Sequence, residues 1–264
     1  MGARPAVNAD PSKVALMDTN TMPWEPTEWP GVSRKVLELV HDPRKGRETA
    51  LLKFAPGAAI PAHILDRRMD VFVIEGTYSD GNADHGPQTF LRNQPGTRHA
   101  PGSREGCTIY VKWRVPIRPG GERIVIDAKT AQWLDFPHRG ANVLHLYPNA
   151  DGIETGRIGN VHPNRKIPSH DHSIGEETLV LKGCLKDEYT AYTPGIWFRM
   201  PCGVPHAPYT EAEGCMMLIR EGDLVWQKSR GRETCLAPQS QFARRRSPSR
   251  WRSSPGPRTR PISR

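Results

Sequence analysis

The chain has 264 residues, 36% hydrophobic and 25% charged, with a formal net charge of +9. Eight arginines and no acid fall within residues 242–264, leaving about +1 on the remainder, so charge gives no reason to expect a nucleic-acid-binding body. No apolar run reaches the eighteen residues of a membrane-spanning helix. The five cysteines contain no Cys-x-x-Cys pair and suggest no disulfide framework.

Residues 1–21 are polar and read as a loose lead-in without a signal-peptide core, which points to a cytoplasmic protein. Residues 50–54, 70–74 and 108–113 are short runs of β-branched and aromatic side chains bounded by Gly and Pro, the composition of strands. Residues 117–130 read as a linker. Residues 177–181 and 216–220 repeat the strand pattern. No window keeps apolar residues at helical spacing over several turns. An all-β protein follows, of the jelly-roll or barrel kind that limits exposed strand edges.

The chain is also duplicated. At an offset of 107 positions Pro61 meets Pro168, His63 meets His170, Asp70 meets Glu177 and Gly76 meets Gly183. Asp80 likewise meets Asp187, Phe90 meets Trp197, and His99-Ala100-Pro101 meets His206-Ala207-Pro208. One residue further on, Glu105-Gly106-Cys107 meets Glu213-Gly214-Cys215. Internal repetition of this kind governs the architecture. It gives two barrels, residues 22–116 and 131–228, followed by an Arg/Ser/Pro-rich tail at 229–264 whose few apolar residues cannot offset the entropy of ordering.

The second copy carries His170, His172, Glu177 and His206. Two imidazoles in a His-x-His step share one face of a strand, because side chains alternate with period two. Three imidazoles and a carboxylate suit a borderline divalent metal, and four protein ligands on an octahedral ion leave positions open for chemistry. Iron(II) is the first expectation, with zinc, manganese and nickel as alternatives and one ion per chain. In the first copy Leu65 replaces the second histidine. His63, Asp70 and His99 remain as a degenerate set, expected to have lost its metal. Leu179, Leu181, Trp197, Phe198 and Met217 lie on strands beside the ligands and are the candidate pocket walls.

Pro61-x-His63, Asp70-x5-Gly76 and Pro95-Gly96-x-x-His99 resemble the two cupin motifs, as do their counterparts from His170 to His206. The stretches MPWEPTEWPGVSRKVLELV and HAPGSREGCTIYVKWR resemble the anti-sigma-factor, ChrR-like branch of cupins over about residues 22–228. That resemblance implies two tandem cupin barrels, each a double-stranded β-helix. Since the branch includes acetylacetone-cleaving and dihydroxyacetophenone-cleaving dioxygenases, it also implies a non-haem metal dioxygenase acting on a small diketone, hydroxyketone or phenolic ketone. The alternative is a non-catalytic sensor related to the cupin half of anti-sigma factors. The expected partner is a small-molecule substrate, with no membrane and no nucleic acid beyond non-specific contact by the tail. A homodimer is left open.

Overall fold

The computed structural model describes residues 4–41, 46–114, 121–147 and 154–222, together with the backbone of two short paired strands at 228–229 and 232–233. Apart from that pair, the expected tail lies outside the described residues. Among the described residues there is no helix, and so none long and apolar enough to cross a membrane.

Strands build two antiparallel barrels, as the duplication requires. The first has a seven-stranded sheet in which Arg68–Gly76 lies between Thr89–Asn93 and Cys107–Arg114, continuing through Arg47–Phe54 and Val32–Val40. The second has an eight-stranded sheet in which Glu176–Lys186 lies between Ile196–Met200 and Tyr209–Glu221, continuing through Thr155–Val161 and Ala141–Tyr147. The repeat also explains a shared backbone device. Gly76 and Gly183 both have φ +72°, where an added Cβ would overlap the carbonyl oxygens of Gly106 and Gly214 respectively. Only glycine permits both that conformation and that approach.

The segments preceding the two barrels are exchanged. Ala15–Asp18 pairs with Ile196–Met200 of the second barrel, Ala15 opposite Arg199 and Asp18 opposite Ile196. Ile124–Asp127 pairs with Thr89–Asn93 of the first. Residues 4–21 are therefore no loose lead-in: beyond this strand, Val7 bridges to Leu39 and Arg199 donates to the carbonyls of Asn8 and Asp10. Of the expected linker, residues 121–130 are likewise more than a connection. Both strands are only four residues long, Ala-Leu-Met-Asp and Ile-Val-Ile-Asp, too short for alternation to mark them.

Three apolar clusters result. One fills the first barrel, including Leu52, Phe54, Leu65, Val71 and Ile109. Another fills the second, including Val180, Phe198, Met200, Met217 and Ile219. The third lies between the barrels and joins Leu51, Phe72, Phe90 and Tyr110 to Leu144, Tyr147, Leu179, Trp197 and Leu218. Both faces of the central strands are buried, as in any sheet covered on each side.

A candidate metal centre in the second barrel

His170 and His206 are held by a reciprocal backbone bridge, the His170 N–H donating to His206 O at 3.0 Å and the His206 N–H to His170 O at 2.9 Å. His172 follows two residues later on the same face. Ligand nitrogens of the three rings all lie within 4.8 Å of one another. His172 is 7% and His206 2% exposed, so the group lies inside the barrel.

What stands behind each ring fixes its tautomer. His170 Nδ1 lies 2.9 Å from Pro168 O, His172 Nδ1 3.0 Å from Glu221 Oε1, and His206 Nδ1 3.3 Å from Asp187 Oδ2. Each partner accepts, so each Nδ1 carries the proton and each Nε2 presents a lone pair. Burial opposes the charge on Glu221, but hydrogen bonds from His172 and Arg157 outweigh it and bring the carboxyl down to about 2. Asp187 is also buried, yet the His206 ring, the Thr190 and Tyr189 amides and the Tyr192 hydroxyl keep it below the usual carboxylate range. The Nε2 atoms of His172 and His206 are 3.1 Å apart. Two lone pairs at that distance repel unless a cation or a proton lies between them. Oriented imidazoles backed by acceptors are the arrangement metal-binding histidines need, so the residues present fit a divalent ion.

The carboxylate is a different residue from the one the spacing suggests. Glu177 does not join the histidines: its Oε2 accepts from Lys112 Nζ of the first barrel at 2.6 Å. Glu176 lies with Glu221 behind His172, its Oε2 3.4 Å from His172 Nδ1 and 3.5 Å from Arg157 Nη2. Along Glu176–Lys186, Glu176, Thr178 and Val180 point into the barrel, whereas Glu177, Leu179 and Leu181 point to its partner. That alternation also corrects the pocket walls. Phe198 and Met217 belong to the second barrel's interior, but Leu179 and Trp197 lie between the barrels, with Leu181 packed against them.

The degenerate site is not assembled. His63 and His99 face each other across paired strands with rings 5.3 Å apart. Asp70 is elsewhere, 2% exposed, accepting from Arg92 Nε and Nη2 at 2.8 Å each and paired with Arg220 Nη1 of the second barrel at 2.7 Å. Burial disfavours its charge, but Arg92, Arg220 and Arg68 overcome that and hold the carboxyl well below the carboxylate range. Among the described residues, groups able to hold a metal occur only in the second barrel.

The duplication thus aligned Asp70 and Glu177 correctly, but as an exchanged pair of inter-barrel bridges. Asp70 pairs with Arg220, Glu177 with Lys112, and Lys112 and Arg220 are themselves opposite Asp70 and Glu177 within their own sheets. Asp187 had a signal, its repeat mate Asp80. Glu221 and Arg157 had none, since neither belongs to a motif. Cys107, Cys184 and Cys215 are free.

His99 gives the first barrel a pH dependence. Burial, then the neighbouring His63 and, less, Arg123, lower its pKa to about 4 against the opposing pull of Asp80. The folded value is below the ordinary 6.5, so the unfolded chain takes up the proton first. Stability from this group is complete above about pH 6.5 and declines as pH falls toward 4. Urea midpoints measured between those values should decline less steeply in His99→Phe than in the parent.

Two stacked, strand-exchanged jelly rolls with an inward-facing histidine cluster in one of them define a bicupin. The chain belongs to the ChrR cupin-like domain family, whose sequence model matches residues 12–115 and again 121–225. No curated protein sequence matches it. Among solved structures it is similar to a candidate dioxygenase from Nostoc punctiforme, at 17% identity and TM-score 0.66, over 80% of this chain and 82% of that one. It is also similar to a candidate glyoxylate-induced protein from Pseudomonas aeruginosa, at 16% identity and TM-score 0.68, over 88% and 97%. A third, the oxalate decarboxylase of Bacillus subtilis described with Mn(II) centres, has 10% identity and TM-score 0.58, over 81% and 78%. At these identities the likeness is one of fold.

Proposed function

We propose that this bicupin is a metal-dependent oxygenase whose single centre is formed by His170, His172 and His206, with iron(II) as the first candidate ion. The supporting observation is the convergence of three Nε2 atoms, two of them 3.1 Å apart, with every Nδ1 committed to an acceptor. The substrate class is a small diketone, hydroxyketone or phenolic ketone, as the family resemblance and the fold of the Nostoc protein suggest. A divalent ion there would act as a Lewis acid on a carbonyl oxygen and stabilise enolate charge.

The protein's own residues supply the rest. Glu221 and Asp187 orient His172 and His206, and Glu176 stands beside Glu221 behind the His172 ring. Arg157 balances the two glutamates, its Nη2 lying 2.8 Å from Glu221 Oε1. Phe198, Met217, Val180 and Ile219 give the barrel an apolar interior that limits water near a reactive enolate. A sugar-phosphate substrate is disfavoured, because Arg199 is turned away into an ion pair with Glu38 of the first barrel at 2.7 Å.

Elemental analysis of protein purified without chelator should give about one transition metal per chain, lost in His206→Ala. Asp187→Asn should weaken metal binding by about 10- to 100-fold while keeping the fold. Oxygen uptake with acetylacetone and iron(II) should depend on His206; uptake unchanged in His206→Ala would refute the assignment of this centre.

A further inference from the structure

The first barrel has no assembled metal site, yet it holds a cavity of about 690 Å³. That lies within the range of small-molecule pockets, about 300–1,000 Å³. Its walls are apolar, with Leu52, Phe54, Ile60, Leu65, Met69 and Ile109 lining it and Trp29 and Trp113 also contributing. Leu65 occupies the repeat position of His172, so the ligand lost there became part of the wall.

Two residues lining this cavity each keep one buried nitrogen with no hydrogen-bond partner. The first is His99, 2% exposed. Its Nε2 is 2.6 Å from the hydroxyl of Tyr78, which is wholly buried and whose phenol burial keeps protonated. When that hydroxyl donates to Nε2 the ring hydrogen is on Nδ1, which is buried with no hydrogen-bond partner. The second is Arg34, whose Nε is also buried with no partner. Its nearest carboxylate, Glu25, is 4.0 Å away and largely exposed. The other arginines lining the cavity are engaged: Arg4 with Glu48 at 2.8 Å, Arg47 with Glu38 at 2.6 Å, and Arg67 with Asp66 at 3.2 Å.

The two groups belong to adjoining layers. Arg34 is two residues from Val32 on one strand, and Val32 pairs with Phe54, whose ring is 6.2 Å from that of Tyr78. A buried N–H or guanidinium left unmatched is costly, and a purely apolar ligand would leave both so. A metal is poorly served, since Tyr78 already occupies Nε2 of His99. The walls are largely apolar, and with Arg4, Arg47 and Arg67 matched to carboxylates, and Glu28 also on the lining, Arg34 and the His99 Nδ1 are the groups an organic acid would satisfy.

We propose that the first barrel binds a small apolar carboxylate, its ring or branched chain against Leu52, Met69 and Ile109, its charge at Arg34, and an acceptor oxygen at Nδ1 of His99. The site is separate from the metal centre and independent of the oxygenase reading.

The full chain would be titrated with phenylacetate and 4-phenylbutyrate, and with the neutral phenylacetamide, following calorimetry and tryptophan fluorescence. Saturable binding of the acids is expected, with the amide weaker by at least about tenfold. Arg34→Met should weaken the acids by a similar factor and leave the amide unchanged. Leu52→Trp should abolish binding by filling the cavity, its folding checked by an unaltered denaturation midpoint. Should that variant misfold, the acid-to-amide ratio in Arg34→Met still decides. His206→Ala, which empties the metal centre, should bind the acids as the parent does. Equal affinity for acid and amide, an unaltered ratio in Arg34→Met, loss of binding in His206→Ala, or no saturation at millimolar acid would each overturn the proposal.

Discussion

Glu38→Ala is expected to cost at least about 3–5 kcal/mol of folding stability, a large share of the roughly 5–15 kcal/mol that holds an ordinary domain together. Glu38 has no exposed surface and receives Arg47 at 2.6 Å, Arg199 of the opposite barrel at 2.7 Å and Lys112 at 3.2 Å. Burial alone would raise its pKa, but Lys112, Arg47 and Arg199 reverse this and hold it ionised. Removing the carboxylate leaves three buried cations sharing what remains, including Glu177. Urea denaturation measures the loss, and a midpoint within experimental error of the parent would contradict this account of the interface. The same network separates the two adjacent glutamates. Glu177→Gln should lower the midpoint and leave metal affinity within about twofold. Glu176→Gln should do the reverse, lowering metal affinity with little change in the midpoint.

The second large effect is Trp197→Ala, at about 3–5 kcal/mol. Trp197 is fully buried in the cluster between the barrels, where its repeat mate Phe90 lies 6.0 Å, ring to ring, from Tyr147 of the second barrel. Because that cluster draws side chains from both halves, its loss should lower a single cooperative transition rather than split it. The indole Nε1 of Trp197 is buried with no partner. Trp197→Phe therefore removes an unmatched donor along with some contact area, and should cost far less than the alanine variant. Thermal and urea unfolding followed by circular dichroism distinguish these outcomes. A Phe variant as weak as the Ala variant would show that the indole is held by something other than packing.

Much of this is legible in the sequence. Strand content, the duplication and the three histidines rest on short-range periodicity and on exact residue spacing, and these survive folding unchanged. The choice between Glu176 and Glu177 was not legible. Both faces of their strand are buried, Thr178 and Val180 on one side and Leu179 and Leu181 on the other, so alternation gave no inside or outside. The alignment of Glu177 with Asp70 then favoured the wrong member, since what the copies share at that position is an ion pair across the interface. Glu221 was invisible for another reason. It reaches His172 from the far end of Tyr209–Glu221, a contact made by sheet pairing over 49 positions.

The exchanged strands make the two repeats mutually dependent. A chain cut between residues 116 and 121 yields halves that each carry the edge strand the other needs, Ala15–Asp18 for one and Ile124–Asp127 for the other. Expressed alone, either half presents an unsatisfied row of amides and carbonyls, the usual route to aggregation. Expressed together, they have what is required to reconstitute the whole. Two copies of one half could trade the same strand, so the present molecule has the geometry of a strand-exchanged dimer whose halves are joined in one chain.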